Sequence, residues 1–151
     1  MTDTAPARLV LDTNTVMALW FFEDPALARL RATIAAQGFV LIARADALDE
    51  LRRVLAYRQF GASVERQHSV LADYAGRCVL TAPPAATAPA LPNCRDRDDQ
   101  KFLEIARDGG ASHLLSRDKA LLKLNRHRLL RASFAIVTPE AFCVDFARDT
   151  P

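Results

Sequence analysis

Arg8-Leu9-Val10-Leu11-Asp12 is an uninterrupted apolar run closed by an acid. A strand with one wet face alternates polar and apolar residues; a continuous run marks a strand covered on both faces, as in a parallel sheet. Directly after it the spacing turns helical. Thr13 or Asn14 can cap a helix that carries Val16, Leu19 and Trp20 on one side.

The same alternation continues outward. Pro25 suits the first turn of a helix running to Ala36, with Leu27, Leu30 and Ile34 on one side and Gly38 as its stop. Phe39-Val-Leu-Ile42 reads as a second buried strand, followed by helices over Asp46 to Tyr57 and Ser63 to Tyr74. Cys78-Val-Leu80 is a short third strand. Thr81 to Pro92, rich in Ala and Pro and without periodicity, is a loop inside one domain. Asp96 to Asp99 opens a helix bearing Phe102, Leu103 and Ala106, which Gly109-Gly110 ends. His113-Leu-Leu115 is a strand, Asp118 to Leu124 a short helix, and Phe134-Ala-Ile-Val137 the last strand, with Thr138-Pro-Glu capping a closing helix. Strands alternating with helices predict an α/β fold, an α/β/α sandwich around a mostly parallel central sheet. The domain is expected over 8–147, with flexible termini at 1–7 and 148–151.

Composition agrees with one ordinary globular unit. The chain has 151 residues, 50% hydrophobic and 25% charged, enough to bury a core without disulfides. Its formal net charge of +2 announces no nucleic-acid partner by itself. Cys78, Cys94 and Cys143 are odd in number and widely spaced, which points to free thiols in a reducing compartment. Met1 to Ala7 lacks the basic and apolar regions of a signal peptide, and no apolar run spans a bilayer. A soluble, cytoplasmic protein without a membrane partner is the expectation.

The chemistry rests on acids. In an open parallel sheet, ligands bind beyond the carboxyl ends of the strands. Asp12 follows the first strand directly, and Asp118 leaves a later one three residues after Leu115. Either also suits a helix cap. On the third helix, Leu48, Leu51, Val54 and Leu55 define the apolar face at about 100° per residue. Glu50 lies roughly 40° from Val54, at the rim of that face, while Asp49 and Arg53 turn to solvent. A pairing of Glu50 with Arg52 or Arg53 is the bland alternative. Asp96, Asp98 and Asp99 form a fourth group, part of which serves to cap its helix. Converging carboxylates stay ionised only with a compensating cation, and all-oxygen ligand sets suit Mg²⁺ or Mn²⁺. No glycine-rich phosphate loop, Ser-His-Asp arrangement or Cys/His ligand set competes.

The order of these motifs resembles the PIN domain, in particular the branch of toxin components of toxin–antitoxin systems. The matching stretches are Leu9-Val-Leu-Asp-Thr-Asn14, Glu50-Leu-Arg-Arg-Val-Leu55, Cys94 to Ala106, His113-Leu-Leu-Ser-Arg-Asp118 and Ile136 to Phe142. The resemblance implies a Mg²⁺- or Mn²⁺-dependent ribonuclease that hydrolyses phosphodiesters with a metal-activated water, leaving a 5′-phosphate and a 3′-hydroxyl. Its acidic positions fall on Asp12, Glu50, Asp99 and Asp118. Asp12 and Asp99 are the principal metal ligands in this reading, and Asp96 is the next choice for the third position. Asn14 and Ser116 support the site, Ser116 standing where threonine is more frequent. Arg52, Arg53, Arg95, Arg97, Arg117 and Lys119 are the candidate RNA contacts by their nearness in sequence. An antitoxin protein and a homodimer are family expectations. A catalytically silent PIN-like binding or assembly module is the alternative. A haloacid-dehalogenase-like phosphatase needs an aspartate where Asn14 stands, and the paired acid and late lysine of a receiver domain are missing.

Overall fold

The apolar runs become five strands, β1 (Ala7–Leu11), β2 (Phe39–Ala43), β3 (Cys78–Leu80), β4 (His113–Leu115) and β5 (Ala135–Val137). They lie in the order β3-β2-β1-β4-β5, and every pairing is parallel. This computed structural model describes residues 6–149, with side chains as far as Asp145. Of the expected terminal segments, residues 1–5 and 150–151 lie outside the described residues.

Central β1 pairs Leu9 with Leu41 on one side and with His113 on the other. Its unbroken hydrophobicity is explained by two cores. Leu9 and Leu11 face one, with Val16, Leu19, Leu51 and Tyr74; Val10 faces the other, with Phe102, Leu103, Ile105 and Leu114. Fully burying each such side chain contributes about 1.5–3 kcal/mol. Helices α1 (Thr13–Val16), α2 (Ala28–Ala35), α3 (Ala45–Leu55), α4 (Val64–Arg77) and α7 (Pro139–Asp149) cover the first face. Helices α5 (Gln100–Asp108) and α6 (Lys119–Leu122) cover the second. The result is the expected sandwich with an all-parallel sheet.

Local differences from the sequence reading have physical causes. Thr13 and Asn14 lie inside α1, and the cap is Asp12, whose backbone is extended and whose Oδ1 accepts the Thr15 N–H at 2.9 Å. Beyond α1 the chain runs through a π-helical turn, Met17–Phe21, that keeps Met17, Ala18 and Leu19 buried. The second helix opens as a 3-10 turn, Pro25–Leu27, capped by Asp24, before α2 begins. At its end Gln37, not Gly38, takes the left-handed conformation (φ 61°). Gly38 is needed for space, since a Cβ there would meet Thr33 Cγ2 at 2.5 Å.

The sheet reverses direction of growth between β1 and β4. From β1 the chain builds outward to β2 and β3, then crosses through the Ala/Pro loop and α5 to place β4 on the opposite side of β1. The crevice above that reversal is where open α/β sheets hold ligands.

Candidate metal centre

At the carboxyl end of β1 the Asp12 N–H reaches across to the Leu115 carbonyl at 3.2 Å, extending the pairing with β4 by one residue. Its side chain is buried, 4% exposed. Oδ1 caps α1, and Oδ2 accepts the Ser116 hydroxyl at 2.5 Å. The same Ser116 Oγ accepts the Asp118 N–H at 2.9 Å. One buried hydroxyl thus fixes both acids. Asp118 in turn caps α6, its Oδ1 accepting the Ala120 N–H at 2.7 Å. For both Asp12 and Asp118 cap and cleft acid are compatible: one oxygen caps a helix while the residue lines the cavity.

On the other wall, a 3-10 turn (Arg97–Asp99) precedes α5 and is capped by Asp96, whose Oδ1 accepts the Asp98 N–H at 3.0 Å. This turn delivers Asp99 inward and leaves Asp98 exposed. Gln100 ties the incoming loop down, accepting the Cys94 N–H at 2.7 Å and donating to the Pro92 carbonyl at 3.1 Å. Oxygens of Asp96, Asp99 and Asp118 come within 4.8 Å of one another. Asp12, Asn14, Glu50, Asp96, Asp98, Asp99 and Asp118 all line one cavity of about 320 Å³.

The electrostatics of this cluster are unfavourable without a cation. Burial, a side-chain hydrogen bond shared with Asp118, and the charges of Asp118, Asp96 and Asp12 push Asp99 up to about 7. Burial also raises Asp12, against the hydrogen bonds from Ser116 and Thr15 that lower it. Asp99 Oδ2 is buried without a hydrogen-bond partner. An orphaned carboxylate oxygen among oxygens of three acids fits a hard divalent cation, which takes oxygen ligands.

Glu50 is held by neither Arg52 nor Arg53. It accepts from the Thr13 hydroxyl and pairs with Lys101 Nζ at 2.9 Å. Arg52 and Arg53 pair instead with Asp49, away from the cleft. Lys101 also donates to the Asp98 carbonyl at 2.5 Å. Sequence reasoning missed Lys101 and Thr13. The lysine carries no sequence signal of its own, and the α3–α5 packing brings it to Glu50. It also missed Tyr57, Gln59 and Phe60, which line the same cavity from the turn after α3.

The six expected RNA-contacting cations do not line the cavity. Arg117 is committed to ion pairs with Asp24 at 3.0 Å and with Glu140. Arg52, Arg53, Arg95, Arg97 and Lys119 are exposed. All three cysteines are free, as the spacing predicted.

An all-parallel α/β sandwich with carboxylates gathered at its reversal point belongs to the class of acidic, metal-binding-type sites. The chain is a member of the PIN domain family: a family model described as PIN domain matches residues 8–120. PIN domains are in general nuclease domains and typically metal-dependent. No curated protein matches the chain. Among the described residues no helix is long and apolar enough to cross a membrane.

Proposed function

We propose that the protein is a Mg²⁺- or Mn²⁺-dependent endoribonuclease acting as the toxin of a toxin–antitoxin pair. The observation that carries the nuclease reading is the buried, unpartnered Asp99 Oδ2 within the Asp96/Asp99/Asp118 oxygens, beside Asp12 at the sheet's reversal point. The toxin role is supported by the resemblance of the motifs to that branch of the family.

Asp96, Asp99 and Asp118, whose oxygens lie within 4.8 Å of one another, would hold the cation, with Asp12 beside them on the same cavity. Bound there, a divalent cation neutralises phosphate charge and lowers the pKa of water, the chemistry that phosphodiester hydrolysis needs. Ser116 orients Asp12 and Asp118 through one hydroxyl. Glu50 lines the same cavity and is oriented by its pairing with Lys101. Asn14, exposed at the cavity edge, positions solvent or substrate. Attack by water without a covalent intermediate leaves a 5′-phosphate and a 3′-hydroxyl. The exposed Arg95, Arg97 and Lys119 give salt-dependent phosphate contacts that read no sequence. An antitoxin segment over this cleft and a homodimer complete the proposal.

The test compares wild type with Asp12→Asn and Asp99→Asn on a mixed RNA pool, in Mg²⁺, Mn²⁺ or EDTA. Cleavage is expected only from the wild type with metal. Cleavage that survives both a substitution and the chelator overturns the reading. Metal uptake at Asp99 without cleavage moves the protein to the binding-module alternative. Circular dichroism of Asp12→Asn separates a lost ligand from a lost helix cap.

A further inference from the structure

Part of the cavity lining is aromatic. Tyr57 and Phe60 both line the cavity that holds Asp12, Glu50 and Asp99. Their rings are stacked, 18° apart in plane with centroids at 6.1 Å. Phe60 is braced from behind by Phe22, edge-on at 5.5 Å, and by Phe21 at 5.8 Å. Tyr57 precedes and Phe60 ends the turn Arg58–Phe60, which closes on Gly61 in the left-handed conformation (φ 58°) that glycine adopts without a Cβ penalty. Tyr57 nevertheless remains 49% exposed and Phe22 56%. A rigid ring with one face backed by protein and the rest open to water is a stacking platform in want of a partner ring.

We infer that Tyr57, supported by Phe60 and Phe22, is a subsite for a nucleobase of single-stranded RNA next to the phosphate being cleaved. The inference rests on the nuclease reading of the acidic cluster and adds to it a site for the base. Charge complementarity selects the occupant. The cavity floor is acidic, so an acidic peptide is repelled from it and a phosphate enters only over a cation. A nucleotide divides the same way as the cavity: an anionic phosphate for the cation end and a flat, uncharged ring for the aromatic end. Gln59 and Asn14, on the same cavity, offer amide groups to a base edge. Stacking of this kind tolerates any base, because each has a π-face.

The full wild-type chain, with Mn²⁺ present, is titrated with a fluorescein-labelled single-stranded RNA made resistant to hydrolysis by phosphorothioate linkages, and read by anisotropy. Tyr57→Ala is expected to weaken binding about 5- to 100-fold, the loss typical of one stacked base. Tyr57→Phe and Tyr57→Trp keep binding, as does Val79→Thr on the far edge of the sheet. An abasic nucleotide is then walked along the RNA. At one position it weakens binding by the Tyr57-containing chain as much as Tyr57→Ala does, and there the substitution has no further effect.

The inference is overturned if Tyr57→Ala binds RNA like its parent, which hands the surface to a protein partner. It is also overturned if Tyr57→Phe loses as much as Tyr57→Ala, or if no abasic position absorbs the effect. Tyr57→Leu and a melting curve guard against misfolding: a ring-specific loss appears in both aliphatic variants at unchanged stability. The nuclease reading is judged apart, by metal-dependent cleavage of unmodified RNA. Cleavage without a base-dependent Tyr57 effect sinks only the subsite, and base-dependent binding without cleavage sinks only the nuclease.

Discussion

Ser116 donates to Asp12 Oδ2 at 2.5 Å and accepts from the Asp118 N–H at 2.9 Å, while its side chain is fully buried. A hydroxyl does both jobs at once; no apolar residue does either. In Ser116→Ala the Asp118 N–H loses its acceptor and Asp12 loses a donor that favours its ionised form. The expected cost is about 1–3 kcal/mol of stability, measured by urea unfolding, because buried partners are left unmet. Metal affinity falls as well, since Asp12 is freer to turn and harder to ionise. Ser116→Thr keeps the hydroxyl and is expected to keep most of the affinity. If Ser116→Ala binds Mn²⁺ as the wild type does, the hydroxyl serves the fold alone.

At the scale of elements, two ionic ties join α3 to α5 and so set the distance between Glu50 and Asp99. One is Lys101–Glu50; the other is Arg44, the residue just before α3. The Arg44 guanidinium is almost fully buried and reaches Asp46 at 2.8 Å and Glu104 of α5 at 2.9 Å. Arg44→Met keeps much of the volume and removes the bridge. Asp46 and Glu104 are still partly wet, so their loss of a partner costs about 1–3 kcal/mol, nearer a charged hydrogen bond than a broken buried pair. Arg44→Lys does not restore it, because a point charge cannot make the forked contact. Unfolding curves of the two variants check this; a Lys variant as stable as wild type removes the argument for the fork. Elements such as these were legible where burial imposes a period. β4 is the predicted His113 to Leu115, and Glu50 was placed from the rim of an amphipathic face. The ties were not legible. Arg44 sits between a strand and a helix where no period applies, and Lys101 follows three acids that already account for a charge there. Phe60 lies in a turn, where aromatic residues carry no pattern, and Tyr57 was expected at the end of a helix that stops two residues earlier, at Leu55.

For the whole molecule, Asp99 and Asp12 pull stability with pH in the direction opposite to Asp24, Asp46 and Asp49. Asp24, Asp46 and Asp49 are held below their ordinary value, each chiefly by hydrogen bonds from an arginine (Arg117, Arg44 and Arg52). They support the fold above that value, and their support is lost as pH falls. Asp99 behaves the other way. Its folded value, about 7, stands above its ordinary 3.8, so between the two the native state binds more protons than the unfolded chain. Stability from this group is present at the acidic end of that window and is lost as pH rises through it. Asp12 shifts in the same direction through burial. The metal-free wild type should therefore gain on Asp99→Asn in melting temperature at about pH 5 and fall behind it at about pH 8. Mn²⁺ should reverse the trend for wild type only, because a cation favours the ionised carboxylate, and its uptake near neutral pH should release a proton detectable by calorimetry in buffers of different ionisation enthalpy. A melting difference that is flat across the window, or that grows toward alkaline pH without metal, would show that Asp99 already has a partner in solution and would remove the main physical reason for placing a cation beside it.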